Sequence, residues 1–418
     1  MIAHLNISRS RLALILGALA MLGPFSIDTI FPAFAVLERD LDVGKVAMQQ
    51  TISFYLLGYA GMSLVHGPLS DALGRRPVIL VGIAIFALAS VGCAMAPSIQ
   101  VLLGFRILQG LSAGVGLIVG RAVVRDALQG DDAQRLMSHI SMIFGIAPAI
   151  APIIGGWILG WSNWQAIFWF LAAFGLVLML VTAVALPESH PQADRLPLNA
   201  RALIGAYRGI LASGRFRLLA LAGTANFGAL FLYISSAPAF VLDFLKLNEQ
   251  QFGWFFAPTI GGMILGAFVS GRSAGRVTGV RLANIGFFFC ALSAAFNIAY
   301  NLWVGEGPQH LPWAVLPTVL SAFGIALVFP ILTIAILDMY PTMRGTASSM
   351  QAFVGLLSNA LIAGLLSPML SDNPMHLALG AAVFSTVAWG LWRWYLAHCD
   401  RFPEASANAA SLEPTDEM

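Results

Sequence analysis

The sequence predicts an all-α integral membrane protein with twelve transmembrane helices. Of its 418 residues, 58% are hydrophobic and only 10% are charged, whereas a soluble globular domain carries about 25% charged residues. Long uncharged runs recur from one end of the chain to the other, and each reaches the ~20 residues that cross ~30 Å of hydrocarbon. These two observations exclude a soluble fold.

The helices follow from the runs in order. The first is expected at about 12–36. The run 136–187 is too long for one crossing, and Gly160-Trp161-Ser162-Asn163-Trp164 divides it into two helices. The run 77–105 ends at Ala96-Pro97-Ser98, after which a further helix continues through Arg106 to about Gly120. The other predicted crossings are 46–70, 218–242, 250–271, 282–305, 307–337, 345–371 and 373–392.

The basic residues predict the orientation of these helices. Eighteen of the 22 Lys and Arg residues lie in one alternate set of loops, and only Arg39, Lys45 and Lys246 lie in the other. The positive-inside rule therefore predicts that both termini are cytoplasmic. Because topology explains the basic residues, the net charge of +2 does not indicate a nucleic-acid partner.

A basic, proline-rich segment after the sixth helix predicts two halves. We expect an N-terminal six-helix bundle at 1–186, a cytoplasmic linker at 187–216, a C-terminal six-helix bundle at 217–398 and a disordered tail at 399–418. Two pseudo-symmetric bundles are typical of secondary transporters. The internal repeat is faint, with Gly74-Arg75 in the first half and Gly275-Arg276 in the second.

Three motifs give the first indication of a family. The loop between the second and third helices runs from Gly67 to Pro77, and it reads G-P-L-S-D-A-L-G-R-R-P. On physical grounds it is a tight turn and a positive-inside anchor. As a pattern it resembles the signature of the major facilitator superfamily. The fourth helix, R-I-L-Q-G-L-S-A-G from Arg106, is similar to a second superfamily motif.

The fifth helix resembles the antiporter motif of the superfamily's drug exporters. Its segment 145–156 is rich in small residues and prolines, a pattern that equally suits close helix packing and kinks. The resemblance implies that this helix and the first loop motif gate the conformational change. The implied gating residues are Gly67, Asp71, Gly74, Arg75, Arg76, Gly145, Pro148, Pro152, Gly155 and Gly156.

Within the superfamily the chain resembles the Bcr/CflA-type drug exporters of bacteria. The similar segments are 23–33 in the first helix, 233–240 in the seventh and 340–347 before the eleventh. The chain departs from that pattern at Ala20, where some relatives carry a second acid, and at Thr29-Ile30-Phe31-Pro32. These departures bear on the substrate rather than on the family.

Two ionisable residues, Asp28 and Arg106, lie inside hydrophobic segments. Each costs roughly 2.5–3.5 kcal/mol on insertion scales, so a function is expected. Helical rise places both about 12–14 Å below the outer face. Three readings remain open: a static buried pair, a proton carrier at Asp28 whose protonation Arg106 influences, or recognition of a cationic substrate by Asp28.

The cavity lining is predicted from polar and aromatic residues on helices that line the cavity in superfamily folds. For each residue, packing is as good an explanation as contact with a substrate. The predicted lining is Phe25, Tyr55, Tyr59, Asn226, Phe231, Tyr233 and Gln351, with Trp254 and Asn359 as further candidates. His66 and His139 are expected to be solvated at cytoplasmic helix ends.

No metal cluster, nucleophile–base pair or P-loop lysine is visible in the sequence, so neither an enzyme nor ATP-driven transport is predicted, and no cofactor is expected. Cys93, Cys290 and Cys399 predict no disulfide framework.

The resemblance implies a monomeric exporter of small amphipathic drugs, phenicol- or bicyclomycin-like, driven by protons across the lipid bilayer of the bacterial inner membrane. The alternatives are a proton-coupled importer of a small metabolite, a passive uniporter and a non-transporting receptor.

Overall fold

The computed structural model describes residues 7–128, 130–195, 197–273, 276–305 and 307–398. The predicted disordered tail at 399–418, with Cys399, and Gly275 of the faint repeat lie outside these residues. Within them the secondary structure is helical, with no β-strand. The all-helical prediction is therefore confirmed for the described part of the chain.

Six long helices occupy the first part of the chain. The breaks at Ala96-Pro97-Ser98 and after Trp161 fall where the sequence predicts them. The helices are α1 (Arg9–Asp40), α2 (Lys45–Ser63), α3 (Arg75–Ala94), α4 (Ile99–Ala127), α5 (Gly130–Trp161) and α6 (Trp164–Ala185). A short helix, His66–Leu73, joins α2 to α3.

Six more long helices follow the predicted linker, which contains a helix of its own at Ala200–Ala212. They are α7 (Gly214–Ser235), α8 (Gly253–Ser273), α9 (Gly279–Val304), α10 (Leu316–Asp338), α11 (Arg344–Leu370) and α12 (Pro374–His398). A π-helical segment, Ala239–Phe244, follows α7, and a second one, Ile362–Leu366, lies within α11.

Eleven of these helices are long and apolar enough to span a membrane, counted over the described residues. The exception is α2, whose 19 residues include Gln49, Gln50, Thr51 and Ser53. These polar side chains lower its mean hydropathy. The chain is a multi-pass membrane protein.

Two helices differ from their predicted extent or continuity. α4 extends to Ala127 rather than to about Gly120, because no proline or glycine interrupts the sequence between Arg121 and Ala127. α1 is divided at Met21 and again after Asp28. The hydroxyl of Thr29 donates to the carbonyl of Phe25, a local bond that competes with the helical ladder and bends helices.

The chain forms two compact units. The first comprises Met1–Leu198, Ile234–Ile260 and Asn359–Asp372, and the second comprises Asn199–Tyr233, Gly261–Ser358 and Asn373–Met418. In the first unit α4 packs against α1, α2 and α3, and α6 packs against α3; in the second, α9 packs against α10 and α12. The predicted division into bundles at 1–186 and 217–398 stays a prediction.

Candidate functional site

Arg106 is the centre of a buried hydrogen-bond network in the first unit. It lies in the middle of the α4 segment Ile99–Ala113, and none of its surface is exposed. Its Nε donates to the carbonyl oxygen of Thr51 at 3.0 Å. Its Nη1 donates to the carbonyl oxygen and the hydroxyl of Ser26, both at 2.9 Å. One guanidinium thus connects α4 to α1 and α2.

Gln109 fixes the orientation of this guanidinium. It stands three residues after Arg106 and accepts from Nη1 at 2.8 Å. Its own amide donates to the hydroxyl of Ser90 on α3 at 2.8 Å. Residues three apart share one face of a helix, so the R-x-x-Q spacing is the sequence signal that could have identified Gln109, which our predicted site omitted.

Close helix crossing makes the network possible. A Cβ on Gly110 would overlap the carbonyl oxygen of Tyr55, and one on Gly58 would lie 2.5 Å from the carbonyl oxygen of Ile107. The missing side chains let the backbones of α2 and α4 approach. As a result the Tyr55 ring lies beneath the guanidinium, 4.5 Å from Arg106 Cζ to the ring centroid, within the range of a cation–π interaction.

Asp28 is the last residue of the α1 segment Leu22–Asp28, directly before the break in that helix. Its exposed fraction is 4%. In the part of the chain that the structure describes, its carboxylate makes neither a hydrogen bond nor an ion pair.

The two predicted charges therefore do not form a static pair in this structure. The Nε and Nη1 groups of Arg106 donate hydrogen bonds to neutral oxygens, and its Nη2 has no partner. Asp28 on α1 and Arg106 on α4 are both buried, and neither neutralises the other.

The predicted lining residues of the first unit have different surroundings. Phe25 is buried against α6, with its ring 5.3 Å from that of Phe174. Tyr55 is buried and its hydroxyl donates to the carbonyl of Gly23 at 3.3 Å. Tyr59 is half-buried and meets Tyr55 edge to face. Trp254 is largely exposed beside Trp157 in a cleft of about 440 Å³.

The predicted lining residues of the second unit belong partly to a chain of neutral hydrogen bonds. Asn297 donates to the hydroxyl of Tyr233 at 2.7 Å, Asn301 donates to Asn297 at 3.0 Å, and Gln309 donates to Asn301 at 3.2 Å. The sequence did not identify Asn297, Asn301 or Gln309.

The other three predicted residues of that unit lie elsewhere. Asn226 is buried, and its Oδ1 has no hydrogen-bond partner. Phe231 is buried and stacks on Phe227. Gln351 is half-buried and donates to the hydroxyl of Thr333 at 2.9 Å. Asn359, a further candidate that belongs to the first unit, is half-buried. Contact of these residues with a substrate stays a prediction.

The loop motif after α2 forms a charged network. Arg75 forms ion pairs with Asp71 and, at 2.9 Å, with Asp126 of α4. Gly74 has φ of 98°, which glycine adopts without strain. The carboxylate of Glu188, from the predicted linker, accepts from the backbone N–H groups of Arg75 and Arg76 at 3.0 and 3.1 Å. A negative charge at the start of α3 is favourable.

The predicted gating residues of α5 divide into two groups. A Cβ on Gly155 would overlap the carbonyl oxygen of Thr29, and one on Gly156 would overlap that of Glu249. At these positions packing requires glycine. Gly145 and, in the loop motif, Gly67 have open space around them. Pro148 and Pro152 both lie inside the continuous helix α5.

His66 is not solvated, so this expectation was wrong. Its exposed fraction is 2%, and its Nδ1 has no hydrogen-bond partner. His66 begins the helix His66–Leu73, which packs onto α3 and α4, a tertiary effect that a position near a helix end does not reveal. His139 is exposed, as expected.

The polar residues of α2 bind backbone carbonyls near the two π-helical segments. Gln49 donates to the carbonyl of Ser235 at 3.0 Å, and Gln50 donates to that of Gly364 at 2.8 Å. Ser53 donates to the carbonyl of Ala360 at 2.8 Å. These contacts lie within the first unit, and sequence analysis did not predict them.

An ion pair lies beside this contact, between Lys45 and Asp243 at 2.7 Å. We call the contact made by Lys45, Gln49, Gln50 and Ser53 the α2 clasp. The hydrogen bonds of Gln49, Gln50 and Ser53 can be exchanged for water without leaving a charge unpaired.

Comparison with known proteins identifies the family. The model of the Major Facilitator Superfamily matches residues 15–363. The chain belongs to this superfamily. Its members are transporters, not enzymes, so the absence of a catalytic constellation from the sequence agrees with the family.

Curated bacterial relatives match most of the chain. It is 31% identical to an uncharacterized MFS-type transporter, YdgK, of Bacillus subtilis over 91% of this chain and 94% of that one. It is 29% identical to a bicyclomycin resistance protein homolog of Haemophilus influenzae, over 90% and 94%. It is 28% identical to multidrug resistance protein D of Escherichia coli, over 83% and 85%.

A solved structure supports the fold. The chain is similar to a bacterial homolog of the human lysosomal transporter Spinster, with a TM-score of 0.70 and 17% identity, over 99% of this chain and all of that one. At this identity the similarity concerns the fold alone.

Proposed function

We propose that this chain exports small amphipathic molecules, phenicol- or bicyclomycin-like, in exchange for protons across the bacterial inner membrane. The observation that carries the proposal is Asp28, a buried carboxyl group without a partner on a membrane helix. Relatives named for multidrug and bicyclomycin resistance support export of drugs. The proposal includes twelve membrane crossings, in which α2 is added to the eleven apolar helices. It also includes cytoplasmic termini, a monomer and no cofactor.

Asp28 and Arg106 have separate roles in this mechanism. Asp28 binds the proton, since a neutral carboxyl group is far less costly in the membrane than a carboxylate. Arg106 holds α1, α2 and α4 together and supplies a fixed positive charge to the same helices. Competition between proton and substrate for one conformation then couples the two movements.

Alternating access requires contacts that open on one side of the membrane at a time. The α2 clasp is suited to this role because its donors meet carbonyls rather than charges, apart from the pair Lys45–Asp243. Gly155 and Gly156 permit a similarly close approach without a specific bond. Opening would replace these contacts by water on the predicted outer side.

The test is Asp28→Asn in the purified full chain in proteoliposomes, with chloramphenicol as the transported probe. We expect loss of accumulation driven by an imposed proton gradient, because Asn cannot carry a proton. Exchange of labelled for unlabelled chloramphenicol, which needs no gradient, should persist. Asp132→Asn removes an acid that is exposed and paired with Arg9, and it serves as the matched control.

Two outcomes contradict the proposal. If Asp28→Asn accumulates chloramphenicol against its gradient at the wild-type rate, Asp28 is not the coupling residue. If wild-type cells accumulate the probe rather than lose it when energised, the chain is an importer.

A further inference from the structure

A small polar cavity lies between four helices of the second unit. Its volume is about 10 Å³, and more than half of its lining residues are polar. The residues from each helix are three or four positions apart, so they share one helix face. The polar ones are Tyr233 of α7, Ser293 and Asn297 of α9, Thr318 and Ser321 of α10, and Ser385 of α12.

Two hydroxyl groups at this cavity lack a hydrogen-bond partner. Ser321 and Ser385 are each 7% exposed, and neither hydroxyl bonds to another residue that the structure describes. A helical serine can donate to the carbonyl four residues earlier. For Ser321 that carbonyl belongs to Pro317, which already accepts from the hydroxyl of Ser293 at 2.6 Å. A buried hydroxyl without a partner carries a desolvation cost, so a partner is expected in the cavity.

The third serine presents the opposite kind of group. The hydroxyl proton of Ser293 is used in its bond to Pro317, so its oxygen offers lone pairs to the cavity. The cavity therefore has two O–H donors without acceptors, Ser321 and Ser385, and one acceptor, Ser293. A ligand that satisfies all three must accept two hydrogen bonds and donate one.

Charge and size restrict this ligand further. No charged side chain lines the cavity, so a bound cation or anion would be buried without a counter-ion, at a high cost. A water molecule needs about 10–15 Å³ of such space and two to four polar partners. The cavity meets both conditions and is too small for a second molecule.

We propose that one ordered water molecule binds in this cavity, where it accepts hydrogen bonds from Ser321 and Ser385 and donates one to Ser293. The water connects α9, α10 and α12. The bond from Asn297 to the hydroxyl of Tyr233 adds α7, so neutral groups join all four helices. This site goes beyond the proposed function and does not depend on it.

X-ray hydroxyl-radical labelling of the purified full chain tests the site directly. X-rays convert bound water into radicals that oxidise adjacent side chains, and mass spectrometry locates the products. Tyr233 and Phe287 are both buried, with 3% and 1% of their surface exposed, but Tyr233 lines the cavity and Phe287 does not. We expect several-fold faster oxidation of Tyr233.

A pair of variants assigns this oxidation to the proposed water. Ser385→Val replaces the hydroxyl by methyl groups that fill the cavity, so oxidation of Tyr233 should fall to the level of Phe287. Thr386→Val on the same helix is the matched control. Its hydroxyl is exposed and donates to the carbonyl of Ala382 at 2.8 Å, and its loss should leave oxidation of Tyr233 unchanged.

The stability of Ser385→Ala distinguishes an occupied cavity from a dry one by its sign. With water bound, the variant removes one hydrogen bond, and the unfolding temperature should fall by about 1–2 °C. In a dry cavity the variant would remove a hydroxyl that has no partner, and the unfolding temperature would rise.

Three results overturn the inference. They are oxidation of Tyr233 as slow as that of Phe287, oxidation of Tyr233 that persists in Ser385→Val, and a higher unfolding temperature for Ser385→Ala. If Ser385→Val does not fold, wild-type oxidation and the Ser385→Ala measurement still decide. Absence of proton-driven transport in wild type would contradict the proposed function and leave the water site standing.

Discussion

The two compact units bury polar side chains in opposite ways. In the first unit a full positive charge, Arg106, is surrounded by neutral oxygens, and an unpaired acid, Asp28, is nearby on α1. In the second unit Tyr233, Asn297 and Asn301 form a chain of neutral groups. Among the described residues, every buried ionisable side chain of the types Asp, Glu, His, Lys and Arg belongs to the first unit.

The difference concerns what each arrangement costs and what it can do. Neutral amides and hydroxyls that are hydrogen-bonded to one another are buried at little net cost, and they respond weakly to a proton or a membrane potential. A buried charge is expensive but responds strongly to both. We therefore expect the first unit to carry energy coupling and the second to carry packing and neutral recognition.

The largest expected effect is that of Arg106→Ala. The change removes the donor shared by Ser26, Thr51 and Gln109. Hydrogen bonds to a charged group contribute about 1.5–3 kcal/mol each, so both the thermal unfolding temperature and transport should fall sharply. Arg106→Lys keeps the charge without the planar fork and should be intermediate. If Arg106→Ala unfolds and transports as wild type does, the contrast between the charged first unit and the neutral second unit is wrong.

A smaller loss is expected from Gly110→Ala, which tests the helix crossing beneath the network. The new methyl group would overlap the carbonyl oxygen of Tyr55, and overpacking of this kind costs about 1–3 kcal/mol. Gly104→Ala on the same helix is the matched control, because nothing lies within 4 Å of its Cβ position. The unfolding temperatures of the two variants in detergent give the measurement. Equal values would mean that α2 and α4 are not held by this contact.

The smallest effect is expected in the second unit, from Tyr233→Phe. It deletes one neutral hydrogen bond, to Asn297, which is worth about 1 kcal/mol. Proton-driven transport of chloramphenicol should continue at a rate close to that of wild type. If instead this variant lost coupling as Asp28→Asn is expected to, the neutral chain would take part in the mechanism and the division of roles between the units would be wrong.

Particular residues show which features the sequence could predict and which it could not. It identified Asp28 and Arg106 as buried charges and Gly74 as a turn glycine, because hydropathy and turn chemistry are local. It placed Arg121 in a loop, since helix ends are poorly marked where no proline or glycine stands. It omitted Gln49, Gln50 and Ser53, whose partners Ser235, Gly364 and Ala360 lie far along the chain.

The sequence by itself determined that this is a helical membrane protein and that Asp28 and Arg106 are buried in it. The length of an apolar run and the position of a charge within it are properties of the chain alone. Only the tertiary structure decided what each charge meets. Arg106 finds Thr51 and Ser26 across 55 and 80 residues of chain, through a helix crossing that Gly58 and Gly110 permit. Hydrogen-bond partners depend on which helices approach closely, and hydropathy carries no information about that approach.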